Sequence, residues 1–218
     1  MQARQILIIA VSLLIVSSCR KKDDGATASY YPLTPGNYWV YQTFRLDSNY
    51  NIIEPASVID SAYVEKDTTI SGKVFHKYIG PNERGSGDYV TRYLRDSLGY
   101  LKDNRGNLYF TSRDFNTTFY RQYLVDLDHN ISMLDTPCLV ERKMGERDKM
   151  VMVPAGTFRT SSYQEIYFMD PYFASFAPVV RTLHTRYAAG IGMVAQTLPF
   201  YINNPSYTER RLIRYRVQ

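Results

Sequence analysis

Turn-forming residues divide most of the chain into short runs of aromatic and β-branched residues, and this spacing limits the folds open to it. Pairs such as Ser71-Gly72 and Leu98-Gly99 recur about every eight to twelve residues, as they do in antiparallel β proteins. The 20 tyrosines and 10 phenylalanines suit such strands, because large rings cover their cross-strand neighbours. No long helical periodicity competes with this pattern. The sequence therefore predicts a mainly β domain built as an antiparallel meander.

The predicted strands lie between these turns. They cover residues 38–46, 57–66, 73–79, 89–95, 100–102, 107–111, 120–127, 138–143, 149–153, 160–168, 182–188 and 191–197. Asp170-Pro171 matches an N-cap and first helical position, so residues 171–177 are predicted as the one short helix. Alternation at the carboxyl end predicts a final strand that buries one side and exposes Arg210, Arg214 and Arg216 on the other.

The first predicted strand carries rings on both of its faces. Trp39 and Tyr41 alternate with Tyr38, Val40 and Phe44 along residues 38–46. We therefore expect this strand to be covered on both sides.

An apolar segment at the amino terminus has the features of a secretory signal. Arg4 precedes eleven apolar or small residues, 6–16, and Ser17 and Ser18 follow them. A transmembrane helix needs about 20 apolar residues, and this run ends well short of that at Arg20. Residues 1–18 are therefore predicted to be a signal peptide that is removed.

The end of this segment resembles the signal of bacterial lipoproteins, an aliphatic residue, two small residues and a cysteine. The matching residues are Val16-Ser17-Ser18-Cys19, with Val where that family prefers Leu. The resemblance implies cleavage before Cys19, thioether lipidation of Cys19 and acylation of the new amino terminus, including palmitate. Such chains hold a protein to the lipid bilayer at about 0.8 kcal/mol per buried methylene. An ordinary signal peptide followed by a chance cysteine is the alternative.

Residues 19–29 are short, polar and glycine-containing, which predicts a flexible tether ahead of a single β-rich domain over residues 30–218. Residues 21–24, Lys-Lys-Asp-Asp, also resemble the charged signal that sends some Gram-negative lipoproteins to the outer face of the outer membrane. A solvated charge run explains them equally well. We expect an outer-membrane lipoprotein, either periplasmic or surface-facing.

Charge and cysteine content narrow the functional classes. The formal charge falls from +5 to +4 on processing, because Arg4 is the only charged side chain in residues 1–18. An exported protein has little access to nucleic acid, so no nucleic-acid partner is expected. Only Cys138 remains beside the lipidated Cys19, which leaves no intramolecular disulfide, and we interpret Cys138 as a buried, inert thiol.

Motifs of catalysis and metal binding are missing from the sequence. It contains no nucleophile elbow, phosphate-binding glycine loop, zinc-binding helix motif or Cys-x-x-Cys pair. His76, His129 and His184 are isolated, and residues 126–130, where Asp126 and Asp128 accompany His129, are interpreted as a polar loop. We therefore predict a protein that is not an enzyme and has neither cofactor nor metal site. Paired carboxylates, which meet only in the fold, leave a hydrolase as a third hypothesis.

Three phrases together resemble a group of uncharacterised Gram-negative bacterial lipoproteins. They are YYPLTPGNYWVY (30–41), VPAGTF (153–158) and RYAAGIGMV (186–194). The resemblance implies an antiparallel sheet curved into a sandwich or half-open barrel. None of the phrases carries chemistry, and Gly156, Gly190 and Gly192 are expected at positions that need a positive φ or close backbone approach.

The favoured hypothesis is a lipid-anchored binding or accessory module that takes a glycan or an apolar ligand on a concave, aromatic face of the sheet. The alternative is a structural protein that docks to another envelope protein through an edge strand or an apolar patch. Ser61, Thr68 and Ser97 also match a three-residue pattern for O-linked glycans in some Gram-negative exported proteins.

Overall fold

A computed structural model of the chain describes residues 29–83, 87–124, 138–171, 179–199 and 206–218. Twelve strands are present in it, and their bounds are as follows: β1 Tyr38–Leu46, β2 Ile52–Ile70, β3 Lys73–Pro81, β4 Tyr89–Ser97, β5 Tyr100–Asp103, β6 Leu108–Thr111, β7 Thr118–Leu124, β8 Cys138–Val153, β9 Gly156–Met169, β10 Val180–Ala188, β11 Gly192–Thr197 and β12 Tyr207–Arg216. Within these residues no helix is long and apolar enough to cross a bilayer.

All twelve strands belong to one antiparallel sheet, in the order β6-β5-β4-β3-β2-β1-β12-β11-β10-β9-β8-β7. The mainly β prediction is confirmed. The sheet is curved and does not close into a barrel, so it corresponds to the half-open alternative and not to a sandwich of two sheets. The first and last strands form its centre, and β2–β6 and β7–β11 form two arms.

Because the strands run up and down in order, the turns alternate between two ends of the sheet. We call the end that carries Gly36 and Gln218 the lower end, since the backbone enters β1 and leaves β12 there. The turns at residues 71–72, 98–99, 154–155 and 189–191 lie at this lower end. The β1–β2 turn at residues 47–51 and the β3–β4 loop lie at the upper end.

The curvature brings the two arms together over a core on the concave face. Phe110 of β6 and Tyr187 of β10 have ring centroids 4.7 Å apart, although several strands separate them in the sheet. Thr111 at the β6 edge also donates its backbone N–H to the Met144 sulfur of β8 at 3.4 Å. Trp39 and Tyr41 of β1 point into this core and are 1% exposed.

A second apolar cluster covers the other face of the central strands. Phe44 and Leu46 pack there with Leu183 and Tyr207, against which Tyr50 of the β1–β2 turn also lies. The Tyr50 and Tyr207 rings stack with centroids 4.4 Å apart. The prediction that β1 is covered on both sides is therefore confirmed.

Three sequence predictions about strands need correction or extension. Residues 138–143 and 149–153 form one continuous strand, β8, which an irregularity in the pairing between Gly145 and Lys149 bends. Strands β2 and β9 extend beyond their predicted bounds. The prediction that the last strand exposes its arginines is wrong for Arg210, which is 1% exposed, while Arg214 and Arg216 are exposed.

The glycine predictions hold. Gly156, Gly190 and Gly192 have φ values of 138°, 73° and 99°. At Gly192 a Cβ atom would also lie 3.2 Å from the Trp39 indole nitrogen, so a side chain there would press against the core. Residues 172–177 of the predicted helix lie outside the described residues. The predicted signal peptide and Cys19 also lie outside them.

Candidate binding cleft

The concave face opens at the upper end of the sheet into a cavity of about 640 Å³, which we call the upper cleft. Its walls come from both arms, with β3, β4 and β6 on one side and β8, β9 and β10 on the other. The lining includes Glu83, Arg92, Tyr109, Arg142, Tyr163, Glu165, Tyr167 and Gln196. A cavity of this size lies in the range of small-ligand sites, which span roughly 300–1,000 Å³.

Tyr31 forms the floor of the upper cleft. This residue belongs to the segment that precedes β1, yet it is 6% exposed and sits among Trp39, Tyr78 and Tyr187, with ring centroids 5.6, 5.7 and 5.8 Å away. Burial raises the pKa of the Tyr31 hydroxyl well above its ordinary value. The segment before β1 therefore forms part of the core and closes the cleft from below.

A second cavity of about 690 Å³, the lower cavity, lies beneath the same floor. Tyr31 and Leu101 line both cavities, which places them between the two. The lower cavity opens beside Ser29 and is also lined by Asp96, Leu98, Phe115, Arg113, Arg147 and Asp148.

Two ion pairs stand in the walls of the upper cleft, one on each arm. Arg92 lies 3.0 Å from Glu83, and Arg142 lies 3.2 Å from Glu165. Each pair is only partly exposed, with side-chain exposures of 15% and 48% in the first and 40% and 28% in the second. The cleft therefore presents equal numbers of positive and negative groups, and each of these groups has a partner of opposite charge.

Tyrosines fill the space between these pairs. Burial raises the pKa of Tyr109, Tyr163 and Tyr167, so all three hydroxyls stay protonated at neutral pH and act as hydrogen-bond donors. The Tyr167 hydroxyl donates to Glu165 at 3.3 Å, and the Arg92 guanidinium lies 5.7 Å from the centre of the Tyr109 ring. Rings and polar groups thus alternate along the walls.

A buried ion pair supports the side of the cleft. Arg210 of β12 donates from Nε to Asp60 of β2 at 2.7 Å, with side-chain exposures of 2% and 6%. Arg210 also donates to the Asn82 carbonyl oxygen at 2.8 Å and to Gln196 at 3.1 Å. It therefore ties the central strand to the β3–β4 loop and to the cleft residue Gln196.

The structure places the predicted O-glycosylation residues on strands. Ser61 and Thr68 lie in β2 and Ser97 ends β4, and all three are half-buried. The Ser61 backbone N–H donates to the Tyr89 hydroxyl at 3.0 Å. These residues lie far apart in the sheet and outside the upper cleft, and their glycosylation stays a prediction.

Cys138 is 5% exposed, as predicted, and burial raises the pKa of its thiol. His76 is half-buried, and its Nδ1 lies 2.7 Å from an Asp67 carboxylate oxygen. Asp126, Asp128 and His129 lie outside the described residues. Among the residues that are described, no group of three or more His, Cys, Asp or Glu side chains is arranged to hold a metal ion.

Sequence reasoning missed a polar cluster around His184. On the convex face, His184 Nδ1 lies 2.9 Å from the Ser162 hydroxyl and 3.5 Å from Glu146, which also pairs with Arg186. A catalytic triad needs its hydroxyl and its carboxylate on opposite nitrogens of the imidazole, whereas here both approach Nδ1. Ser162 is also 0% exposed. The cluster is therefore a buried support for β8, β9 and β10.

This cluster predicts a loss of stability in mild acid. Burial, followed by the Arg186 charge, lowers the pKa of His184 to about 4, from an ordinary value of 6.5, while Glu146 opposes and Lys149 adds to this effect. Between these two values the unfolded chain binds a proton that the folded chain does not, so stability falls as the pH decreases, by on the order of 1–3 kcal/mol. Urea unfolding at about pH 7 and about pH 5 is expected to show a smaller difference in His184→Gln than in the unsubstituted protein.

His76→Gln is the matched control for this measurement, because the His76 side chain is 25% exposed and that of His184 is 10% exposed. The difference between the two pH values is expected to be larger in His76→Gln than in His184→Gln. An unchanged pH dependence in His184→Gln would contradict the prediction.

The chain is similar to two solved structures and matches no known protein family. No protein-family model and no curated protein matches the chain. Two solved structures are similar to it: a candidate lipoprotein from Parabacteroides distasonis ATCC 8503, with a TM-score of 0.46, and a candidate exported protein with a YmcC-like fold from Bacteroides fragilis NCTC 9343, with a TM-score of 0.45. Each is 14% identical, over 87% of this chain and 99% of the other. Neither description states a ligand or an activity, and a likeness at this level carries no inference about either.

Proposed function

We propose that the chain is a lipid-anchored protein of the cell envelope that binds a glycan in the upper cleft and catalyses no reaction. The observation that carries the proposal is the composition of the cleft walls, in which tyrosine rings alternate with two Arg–Glu pairs. The anchor rests on the resemblance of Val16-Ser17-Ser18-Cys19 to a lipoprotein signal. The outer membrane is the expected location.

The polar groups of the cleft favour a sugar over an acyl chain. A sugar ring offers hydroxyls to the Arg92–Glu83 and Arg142–Glu165 pairs and apolar C–H faces to the tyrosine rings. An acyl chain would remove water from the same charges without replacing their hydrogen bonds, which costs about 1–3 kcal/mol for each group left unpaired. Since each Arg–Glu pair has no net charge, a neutral glycan suits the cleft better than a strongly charged one.

Binding of oligosaccharides to the purified protein tests this function. A glycan array would identify a ligand, and titration calorimetry would then compare variants. Tyr163→Ala, which removes a ring from the cleft wall, is expected to weaken binding at least about tenfold, as truncation of a buried aromatic contact residue does. Tyr163→Phe keeps the ring and loses the hydroxyl, so a smaller loss is expected.

Tyr123→Ala serves as the matched control, because Tyr123 is 59% exposed on the edge strand β7 and does not line the cleft. It is expected to leave binding unchanged. An equal loss in Tyr123→Ala, or the absence of any glycan bound above background, would count against the proposal. Displacement of a fluorescent fatty acid in place of a glycan would favour an apolar ligand.

One observation favours the alternative of an envelope protein as partner. Strand β7 lies at an edge of the sheet and exposes Tyr123 and Leu124 at 59% and 39%. An edge strand of this kind is a template for pairing with another chain. Recovery of one protein in stoichiometric amount from detergent-solubilised membranes, lost on introduction of Leu124→Lys, would support this second function.

A further inference from the structure

The described chain begins at the lower end of the sheet. Ser29 accepts a hydrogen bond from the Gly190 backbone N–H at 2.8 Å and donates its hydroxyl to Asp96 at 2.9 Å. Nine residues separate Ser29 from Cys19. At most about 3.3–3.6 Å per residue, this length allows a span of roughly 35 Å. An anchor at Cys19 would therefore hold the lower end within roughly 35 Å of the bilayer.

Apolar side chains project from the hairpins of this end. Leu98 in the β4–β5 turn is 86% exposed and Met152, just before the β8–β9 turn, is 75% exposed. These are the two most exposed large hydrophobic side chains of the described residues. Met150, near the β8–β9 turn, is 58% exposed, and Val74, beside the β2–β3 turn, is 52% exposed. The β8–β9 turn is held against the central strand, because the Ala155 backbone N–H donates to the Leu212 carbonyl oxygen at 3.0 Å, while Met152 stays exposed. Leu98 and Met152 are therefore both open to a surface that meets this end.

Basic side chains surround these tips. Lys73, Arg113 and Arg147 are all exposed at the lower end, and Arg113 and Arg147 line the lower cavity. The Arg147 guanidinium lies 4.0 Å from the centre of the Phe115 ring, where the ring holds it beside the cavity. Asp96 and Asp148 also line the cavity, and Asp96 is engaged by Ser29.

We propose that the lower end is a bilayer-contact surface, on which Leu98 and Met152 enter the interfacial layer and the basic side chains meet anionic lipid headgroups. Apolar tips with flanking basic residues bind membrane interfaces, and a basic patch adds to the attachment that acyl chains provide. This inference rests on the lipid anchor of the proposed function. Its consequence is a fixed orientation in which the upper cleft opens away from the membrane.

Depth-dependent fluorescence quenching tests the contact on the mature, acylated protein. It is reconstituted into vesicles of phosphatidylethanolamine with a minority of phosphatidylglycerol, with and without lipids that carry a nitroxide near the headgroup. A thiol-reactive fluorophore is placed by Ser71→Cys in the lower β2–β3 turn or by Asn49→Cys in the upper β1–β2 turn, both exposed. Cys138 is buried, so the unsubstituted protein is expected to take up little label.

The label at position 71 is expected to be quenched several-fold more than the label at position 49. The same label at position 71 is expected to lose most of that quenching when Leu98→Ser and Met152→Ser are added, with circular dichroism showing an unchanged fold. Equal quenching at both positions would overturn the proposal. Quenching at position 71 that survives the two serine substitutions would also overturn it, since the tether alone would then explain the proximity.

The outcome is separable from that of glycan binding. Failure of the protein to become acylated would remove the anchor and this inference together, yet the titration of Tyr163→Ala measures the upper cleft without a membrane. Conversely, a docked lower end with no glycan bound would leave the bilayer contact established and overturn only the ligand.

Discussion

Asp60→Ala is expected to lower the free energy of unfolding by about 3–5 kcal/mol, the range measured when one partner of a buried ion pair is removed. The Arg210 guanidinium would remain in a site where its side chain is 2% exposed and would lose its carboxylate partner, which lies 2.7 Å from Nε. Urea denaturation followed by circular dichroism gives this value. A total stability of 5–15 kcal/mol is typical of a domain, so the loss is expected to move the midpoint strongly.

Two variants control this measurement. Glu54→Ala removes the carboxylate of the Arg45–Glu54 pair between β1 and β2, where the side chains are 56% and 53% exposed, and is expected to cost at most about 1 kcal/mol. Arg210→Met added to Asp60→Ala removes the uncompensated charge and is expected to recover part of the lost stability. Equal effects of Asp60→Ala and Glu54→Ala would show that burial does not set the strength of the pair.

Trp39→Ala is expected to be as destabilising, by about 3–5 kcal/mol, because it empties the centre of the core. The indole is 1% exposed, packs beside Tyr31 and Tyr78, and donates to the Ile191 carbonyl oxygen at 2.6 Å. The substitution leaves this carbonyl without its donor as well as creating a cavity. Trp39 is the single tryptophan, so unfolding must be followed by circular dichroism and not by tryptophan fluorescence.

Phe168→Ala is the matched control for an aromatic residue, because Phe168 lies on β9 and is 39% exposed. A loss well below that of Trp39→Ala is expected. Gly192→Ala approaches the same contact from the opposite side, since the added Cβ would meet the indole at 3.2 Å and the φ of 99° disfavours any side chain. If Gly192→Ala were as stable as the unsubstituted protein, the side chains around Trp39 would have to rearrange more easily than their packing indicates.

Local signals in the sequence were enough to place most strands. They did not predict contacts between residues that lie far apart in the chain. Strand β1 has the predicted bounds, because the Gly36-Asn37 turn and the alternating rings of Tyr38–Leu46 are both local. The break predicted inside β8 was wrong, since Gly145 permits the chain to continue where a Cβ would collide with the Gln164 side chain at 2.1 Å. From the sequence alone, Gly145 indicated the end of a strand, because the side chain that lies opposite it was not known.

The upper cleft depends on contacts that no local pattern contains. Arg210 was predicted to be exposed because its partner Asp60 lies 150 residues earlier in the chain. The floor residue Tyr31 precedes the first predicted strand, and no local pattern assigned it to the core. A concave aromatic face was predicted from the number of tyrosines. The Arg–Glu pairs that favour a sugar were not predicted, because they depend on strand register, which places Arg142 opposite Glu165, and on the position of Glu83 in the β3–β4 loop.

The pairing of β1 with β12 constrains when the domain can fold. These strands form the centre of the sheet, yet they are the first and the last to emerge during synthesis, and the register joins Tyr38 to Arg216. Contacts of such sequence separation form late, because a long loop must be closed before they stabilise anything. The core on the concave face holds residues of both arms and of β1 and β12, so the described domain cannot complete it until β12 is available.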